Sequence, residues 1–138
     1  YNEKHFDGCM RLQKSWLSSS NNGDVAESAA IEKALMNYDE LGLNAGVIIQ
    51  DGEITAFSIG ERIGNNAVIL IEKASPDYNG LFQVINKDTV SHLFGDCEYI
   101  NRCEDLDIEG LRKAKLSYYP HHMTEKNWAC LLEDGYDY

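Results

Sequence analysis

Apolar residues recur first at helical and then at strand-like spacing along the chain. Phe6, Met10, Leu12, Trp16 and Leu17 form one apolar stripe, which predicts a short amphipathic helix. The polar run 18–23 reads as a linker. Asp24 then caps a second helix over 25–40, with Ile31, Leu35 and Tyr38 on one side. From residue 43 the pattern changes to branched apolar runs over 43–50, 53–62 and 67–74. Asp51-Gly52 supplies the left-handed pair that a type I′ hairpin turn requires, and Gly64-Asn65-Asn66 turns the chain again, so these runs predict an antiparallel meander. A helix over 81–93 follows, with Phe82, Ile85, Val90 and Leu93 as its apolar positions. Because a helix intervenes, the short strand over 98–101 is expected parallel to the third strand, by a right-handed crossover. A helix over 108–117 is expected after it, capped by Asp105 or Asp107 and stopped by Pro120. A last strand over 126–132 and an acidic end over 133–138 complete the reading. The fold class is therefore α/β in the mixed, α+β sense: a central, mostly antiparallel sheet with helices on both faces and one parallel pair.

Composition narrows the picture. The 138 residues suffice for one domain, here a lead-in helix and linker over 1–23, a core over 24–132 and a tail over 133–138. Hydrophobic residues make up 43% and charged ones 25%, as in ordinary globular proteins, and no apolar run approaches the ~20 residues that cross a bilayer. Tyr1 stands where a start Met would, and no basic-then-apolar leader follows. The chain is accordingly expected to be a piece of a longer intracellular protein. Cys9, Cys97, Cys103 and Cys130 include no Cys-x-x-Cys pair and read as reduced thiols. His121 and His122 are adjacent, with no second ligand pair at metal spacing, and read as surface or loop residues rather than a metal site. A net charge of −11 argues against broad nucleic-acid binding, since phosphate backbones are held by clustered Lys and Arg.

Ionisable chemistry concentrates in two places. Glu72 and Lys73 close the third strand, where alternation sends them to opposite faces. A carboxylate at the inner end of a central strand either contacts a substrate amine or acts as a base, or is paired structurally with Arg102 or Arg112, because ionised groups are costly to bury alone. Lys73 is either an anion contact or a solvated end residue. The second place is 99–120, where Asn101, Arg102, Glu104 and Asp105 follow a strand end, the usual site position in α/β folds. On the helix beyond, Arg112 and Lys115 can face one side, either as a cationic surface or as a solvated turn. Tyr118 could donate a proton to a leaving group or could be a buried, hydrogen-bonded core residue.

Asn101-Arg102-Cys103-Glu104-Asp105-Leu106, the run from Leu111 to Pro120, and Ile71-Glu72-Lys73-Ala74 followed by Gly80 together resemble the recurrent blocks of the phosphatidylglycerol lysyltransferase C-terminal domain family. The resemblance covers roughly residues 32–132 and implies a fold similar to the GNAT acyltransferases. It also implies that the chain is the second of two tandem GNAT-like halves, with the N-terminal half as a partner. The implied activity is transfer of an acyl or aminoacyl group, with aminoacyl-tRNA as donor, to an amine or hydroxyl such as a small molecule or lipid headgroup. A cytoplasmic or membrane-peripheral location goes with it. Under that resemblance Glu72 and Asp105 hold or deprotonate the nucleophile and Asn101 donates to the developing oxyanion. Tyr118 protonates the leaving group, while Lys73, Arg102, Glu104, Arg112 and Lys115 bind substrate.

The loop 75–80 bears on the donor. Acyl-CoA enzymes of the GNAT type carry a basic, glycine-rich loop at the helix start, whose amides hold the pyrophosphate. Here the loop has Gly80 alone, no basic residue, and Asp77, which would repel a diphosphate. Acyl-CoA is disfavoured and no cofactor is expected. A chain this acidic is expected to bind tRNA weakly by itself. Two other readings stand beside the transferase: a non-catalytic binding module, and an acetyl-CoA-dependent N-acetyltransferase.

Overall fold

The computed structural model describes residues 1–19, 25–124, 127 and 129. It comprises two compact units, Tyr1–Cys103 and Glu104–Tyr138. A 3-10 turn opens the first unit at Glu3–His5. It is followed by α1 (Phe6–Ser19), α2 (Val25–Met36), β1 (Leu43–Gln50), β2 (Glu53–Ile63), β3 (Asn66–Ala74), α3 (Leu81–Leu93) and β4 (Tyr99–Asn101). Ser18 and Ser19, expected in the linker, extend α1. The second helix stops at Met36 instead of reaching 40. There the Lys33 carbonyl accepts both the Asn37 backbone N–H at 3.2 Å and its side-chain amide at 2.8 Å, a local bond of the kind that helix ends favour.

The sheet runs β1-β2-β3-β4, antiparallel except for the parallel pair β3/β4. Asp51 and Gly52 have φ of 51° and 81°, the two left-handed residues that the hairpin needs. Alternation along β2 divides the core. Phe57 and Ile59 pack with Cys9, Leu12, Ile31 and Leu35 of α1 and α2. Ala56 joins Ala74, Leu81 and Ile85 on the α3 side. Ala67 and Ile69 meet Phe94 at the far end of α3. Helices thus cover both faces of the sheet.

The register slips between Ile59 and Gly60, which face Ile71 and Ile69, so β3 bulges at Leu70. Past the slip, Ile69 packs with Phe94 beyond the end of α3, while Glu72 bonds Asn86 of α3, so residues three apart share a face. Burial also governs reactivity. The Cys9 thiol is pushed up to about 12 by desolvation inside the core, which keeps it protonated and unreactive. Among the described residues, Cys9, Cys97 and Cys103 form no disulfide. No helix there is long and apolar enough to cross a membrane.

In the second unit α4 spans Glu109–Leu116. Its N-cap residue is Ile108, without a side-chain cap, which corrects the expectation of Asp105 or Asp107. Asp107 has φ of 57°, whereas an N-cap requires extended backbone. Asp105 Oδ1 accepts the Asp107 amide at 3.0 Å in the turn before the helix. The Asp24 cap, Cys130, the acidic end and, apart from Asn127 and Ala129, the last strand lie outside the described residues.

Candidate functional site

The end of β3 sends two charged side chains in opposite directions, as strand alternation demands. Lys73 turns toward α1 and α2. Its Nζ donates to both carboxylate oxygens of Glu27 at 3.0 and 2.9 Å and lies 5.5 Å from the centre of the Trp16 ring. Trp16 in turn donates its indole N–H to the Ala74 carbonyl at 2.7 Å and stacks edge-on against Phe82. Lys73 is therefore engaged within the scaffold on the face opposite Glu72.

Glu72 points to the α3 side. Asn86 Nδ2 donates to its Oε1 at 2.6 Å, and Arg102 Nη2 donates to its Oε2 at 2.7 Å. The two charged side chains retain only 12% (Glu72) and 22% (Arg102) of their exposure, so the pair is mostly desolvated yet still reached by solvent. Each carboxylate oxygen can accept two hydrogen bonds, which leaves acceptor capacity for a further donor.

The position follows from topology. β4 pairs with β3 only as far as Asn101 opposite Val68, whereas β3 runs on to Ala74. The parallel strands therefore part at their C-terminal ends, where open sheets place ligands. Arg102, the first residue past β4, reaches back to Glu72. Asn101 Oδ1 accepts the Cys103 amide at 2.9 Å, and Cys103 has φ of 57°; this turn fixes the exit of the strand. The carbonyl end of Asn101 is thereby used, and its amide N–H₂ is the end suited to a ligand. In the loop before α3, the Ser75 hydroxyl donates to Asp77 Oδ2 at 3.0 Å and accepts the Asp77 amide at 3.3 Å. Gly80 takes the N-cap position with φ of 80° and no side-chain bond.

The second unit holds its own cluster. Arg112 donates from Nε and Nη2 to Asp105 at 2.6 and 3.2 Å, and from Nη2 to Asp107 at 2.8 Å. Lys115 Nζ donates to the Glu104 carbonyl. The Arg112 hydrogen bond, followed by the Asp107 amide and the neighbouring positive charges, holds the Asp105 carboxyl below its ordinary value, and the carboxylates of Asp105 and then Asp107 raise Arg112. Tyr118 is 45% exposed, so it is not a core residue.

Of the residues singled out in the sequence, Glu72 and Arg102 thus meet directly with Asn101 beside them. Lys73 lies on the other face of the sheet, and Glu104, Asp105, Arg112, Lys115 and Tyr118 belong to the second unit. Asn86 escaped sequence reading. Its signal was a polar residue, with Thr89 one turn on, at positions of α3 that the spacing from Leu81 and Ile85 turns inward.

Comparison with known proteins places this geometry in a family and a fold. The family described as "Phosphatidylglycerol lysyltransferase, C-terminal" matches residues 1–130. A conserved protein of unknown function from Bacteroides thetaiotaomicron VPI-5482 is 34% identical with a TM-score of 0.82, over 89% of this chain and 43% of that one. The chain thus spans less than half the length of that relative. A possible acetyltransferase from Clostridium difficile 630 superposes with a TM-score of 0.66 at 11% identity, covering 96% of this chain and 94% of the other. The ribosomal-protein-alanine N-acetyltransferase from Brucella melitensis biovar Abortus 2308 does so with 0.62 at 11% identity, covering 94% of each. No curated protein matches the chain. The fold is that of the GNAT acetyltransferases.

Proposed function

The chain belongs to the phosphatidylglycerol lysyltransferase C-terminal family, and from that premise we propose that it is the acyl-transferring part of a longer, tandem GNAT-like protein. The donor in this reading is an aminoacyl ester such as aminoacyl-tRNA, and the acceptor is an amine or hydroxyl such as that of a lipid headgroup met at a membrane surface. The acceptor attacks the ester carbonyl, a C–N or C–O bond forms, and the donor's ester oxygen leaves with a proton. Neither a metal nor a covalent enzyme intermediate is required.

The observation that carries the reading is the Glu72–Arg102 pair, gripped from α3 at the point where β3 and β4 part. Glu72 receives the N–H or O–H of the nucleophile, or the ammonium of the aminoacyl group. Arg102 orients the anionic part of a substrate, and the Asn101 amide donates to the oxyanion as it develops. In the second unit Arg112 and Lys115 are proposed anion contacts, held in place by the Asp105 carboxylate and the Glu104 carbonyl. Lys73, committed to Glu27, has no part in it. The Asp77-bearing loop disfavours a CoA diphosphate, which supports an ester donor without a cofactor.

The test is a turnover assay on the full-length protein with charged tRNA and phosphatidylglycerol vesicles. Glu72→Gln keeps the size but loses the charge and leaves one acceptor for the two donors Asn86 and Arg102, and is expected to slow transfer on the order of 100-fold. An unchanged rate removes Glu72 from the site. Calorimetry with acetyl-CoA is the second arm, in which micromolar affinity would replace the aminoacyl ester by acetyl-CoA as donor.

A further inference from the structure

The face between α3 and the sheet is not uniformly apolar. Ala56, Ala74, Leu81 and Ile85 form one apolar cluster there, and Ala67, Ile69 and Phe94 another. Between them runs a line of polar or bare positions. Gly46 of β1 lies opposite Ser58 of β2, and Ser58 lies opposite Glu72 of β3. From α3, Asn86 and Thr89 descend onto this line, 5% and 2% exposed, and Ser58 is fully buried. A Cβ on Gly46 would sit 3.1 Å from Thr89 Oγ1, so the hydroxyl rests directly over the glycine. Ser58 Oγ and Thr89 Oγ1 have no hydrogen-bond partner among the described residues.

Burying four polar side chains beneath a helix is unfavourable compared with continuing the apolar packing on either side. A row of this kind, ending on a charged group at the parting of two strands, has its meaning at that group. Resting on the function proposed above, we infer that Asn86 is a positioning residue: its amide aims the Glu72 carboxylate, and the Ser58–Thr89 row keeps that support polar up to the carboxylate. Asn86 acts through Glu72 and does not touch substrate. An amide donor is what the geometry requires, because Glu72 offers only acceptors and lies 2.6 Å from Asn86 Nδ2.

Asn86→Asp separates positioning from packing, since it preserves shape but replaces the donor with a second carboxylate. In full-length protein, Asn86→Asp is expected to lower kcat at least tenfold and more than Asn86→Ala does, with donor KM within about twofold. Combined with Glu72→Gln, either Asn86 variant should add nothing further. Near-wild-type turnover of Asn86→Asp, or effects that multiply with those of Glu72→Gln, overturns the inference. A wild-type protein that transfers nothing refutes the transferase reading itself. The support is then read without activity, by denaturant midpoint of this chain. Asn86→Asp must be less stable than Asn86→Ala beside Glu72, and that order must vanish or reverse beside Glu72→Gln. The same order in both backgrounds means that Asn86 does not hold the carboxylate.

Discussion

Asp105 shows how one residue can be read by type and misread by role. Its type and its place before a helix suggested a cap, but a left-handed backbone two residues on turned it into the partner of Arg112 instead. The ion pair gives it a pH signature. Arg112 depresses the folded carboxyl, so the unfolded chain binds the proton more tightly, and the pair's support is full above the ordinary aspartate value of about 3.9. That support is lost as pH falls through the lower, folded value. Carbon-13 titration of the Asp105 carboxyl should give a midpoint below the ordinary one, and Arg112→Ala should return it upward. Glu72 contrasts with it. Its importance was legible because a carboxylate at the inner end of a strand needs a partner, whereas Asn86 was not, because an amide inside a helix carries no such demand by itself.

At the scale of elements, the meander and the crossover helix were legible almost to the residue. Hydrophobic period and turn chemistry agree there, with Asp51-Gly52 fixing the first hairpin and Gly80 preceding α3. The bulge was not, since nothing in the run 66–74 marks Leu70 as the extra residue. It depends on Gly60, where a Cβ would meet the Val68 carbonyl at 2.9 Å and the Phe94 ring at 3.0 Å. Gly60→Ala is therefore expected to destabilise the domain by about 1–3 kcal/mol, as overpacking does. Urea denaturation measures it. The loss should shrink beside Phe94→Leu, which removes one of the two obstructing groups. Because the slip sets which face Glu72 occupies, the variant should also slow transfer in the full-length protein.

For the whole molecule, charge and family pull in different directions. The donor proposed above is an aminoacyl ester such as aminoacyl-tRNA, yet the chain carries a net charge of −11. Without a surplus of cations there are few counterions to release, so this chain alone should bind tRNA weakly and with a shallow salt dependence. Filter binding across 50–200 mM salt checks it: a steep slope and tight binding would show that local Lys and Arg outweigh the total. Composition told this much from the start. It could not tell how the strand carrying Glu72 is moored, because the mooring joins residues far apart in the chain.

That mooring is the indole of Trp16, clasping the carbonyl of Ala74 where β3 runs out. The N-terminal helix lies on the face of the sheet away from Glu72, yet it tethers the last residue of the same strand, only two positions further on. Trp16→Phe would undo that clasp while leaving Cys9 and Leu12 of α1 in the core, so slower transfer in this variant would report a slackened strand and not a missing ligand contact.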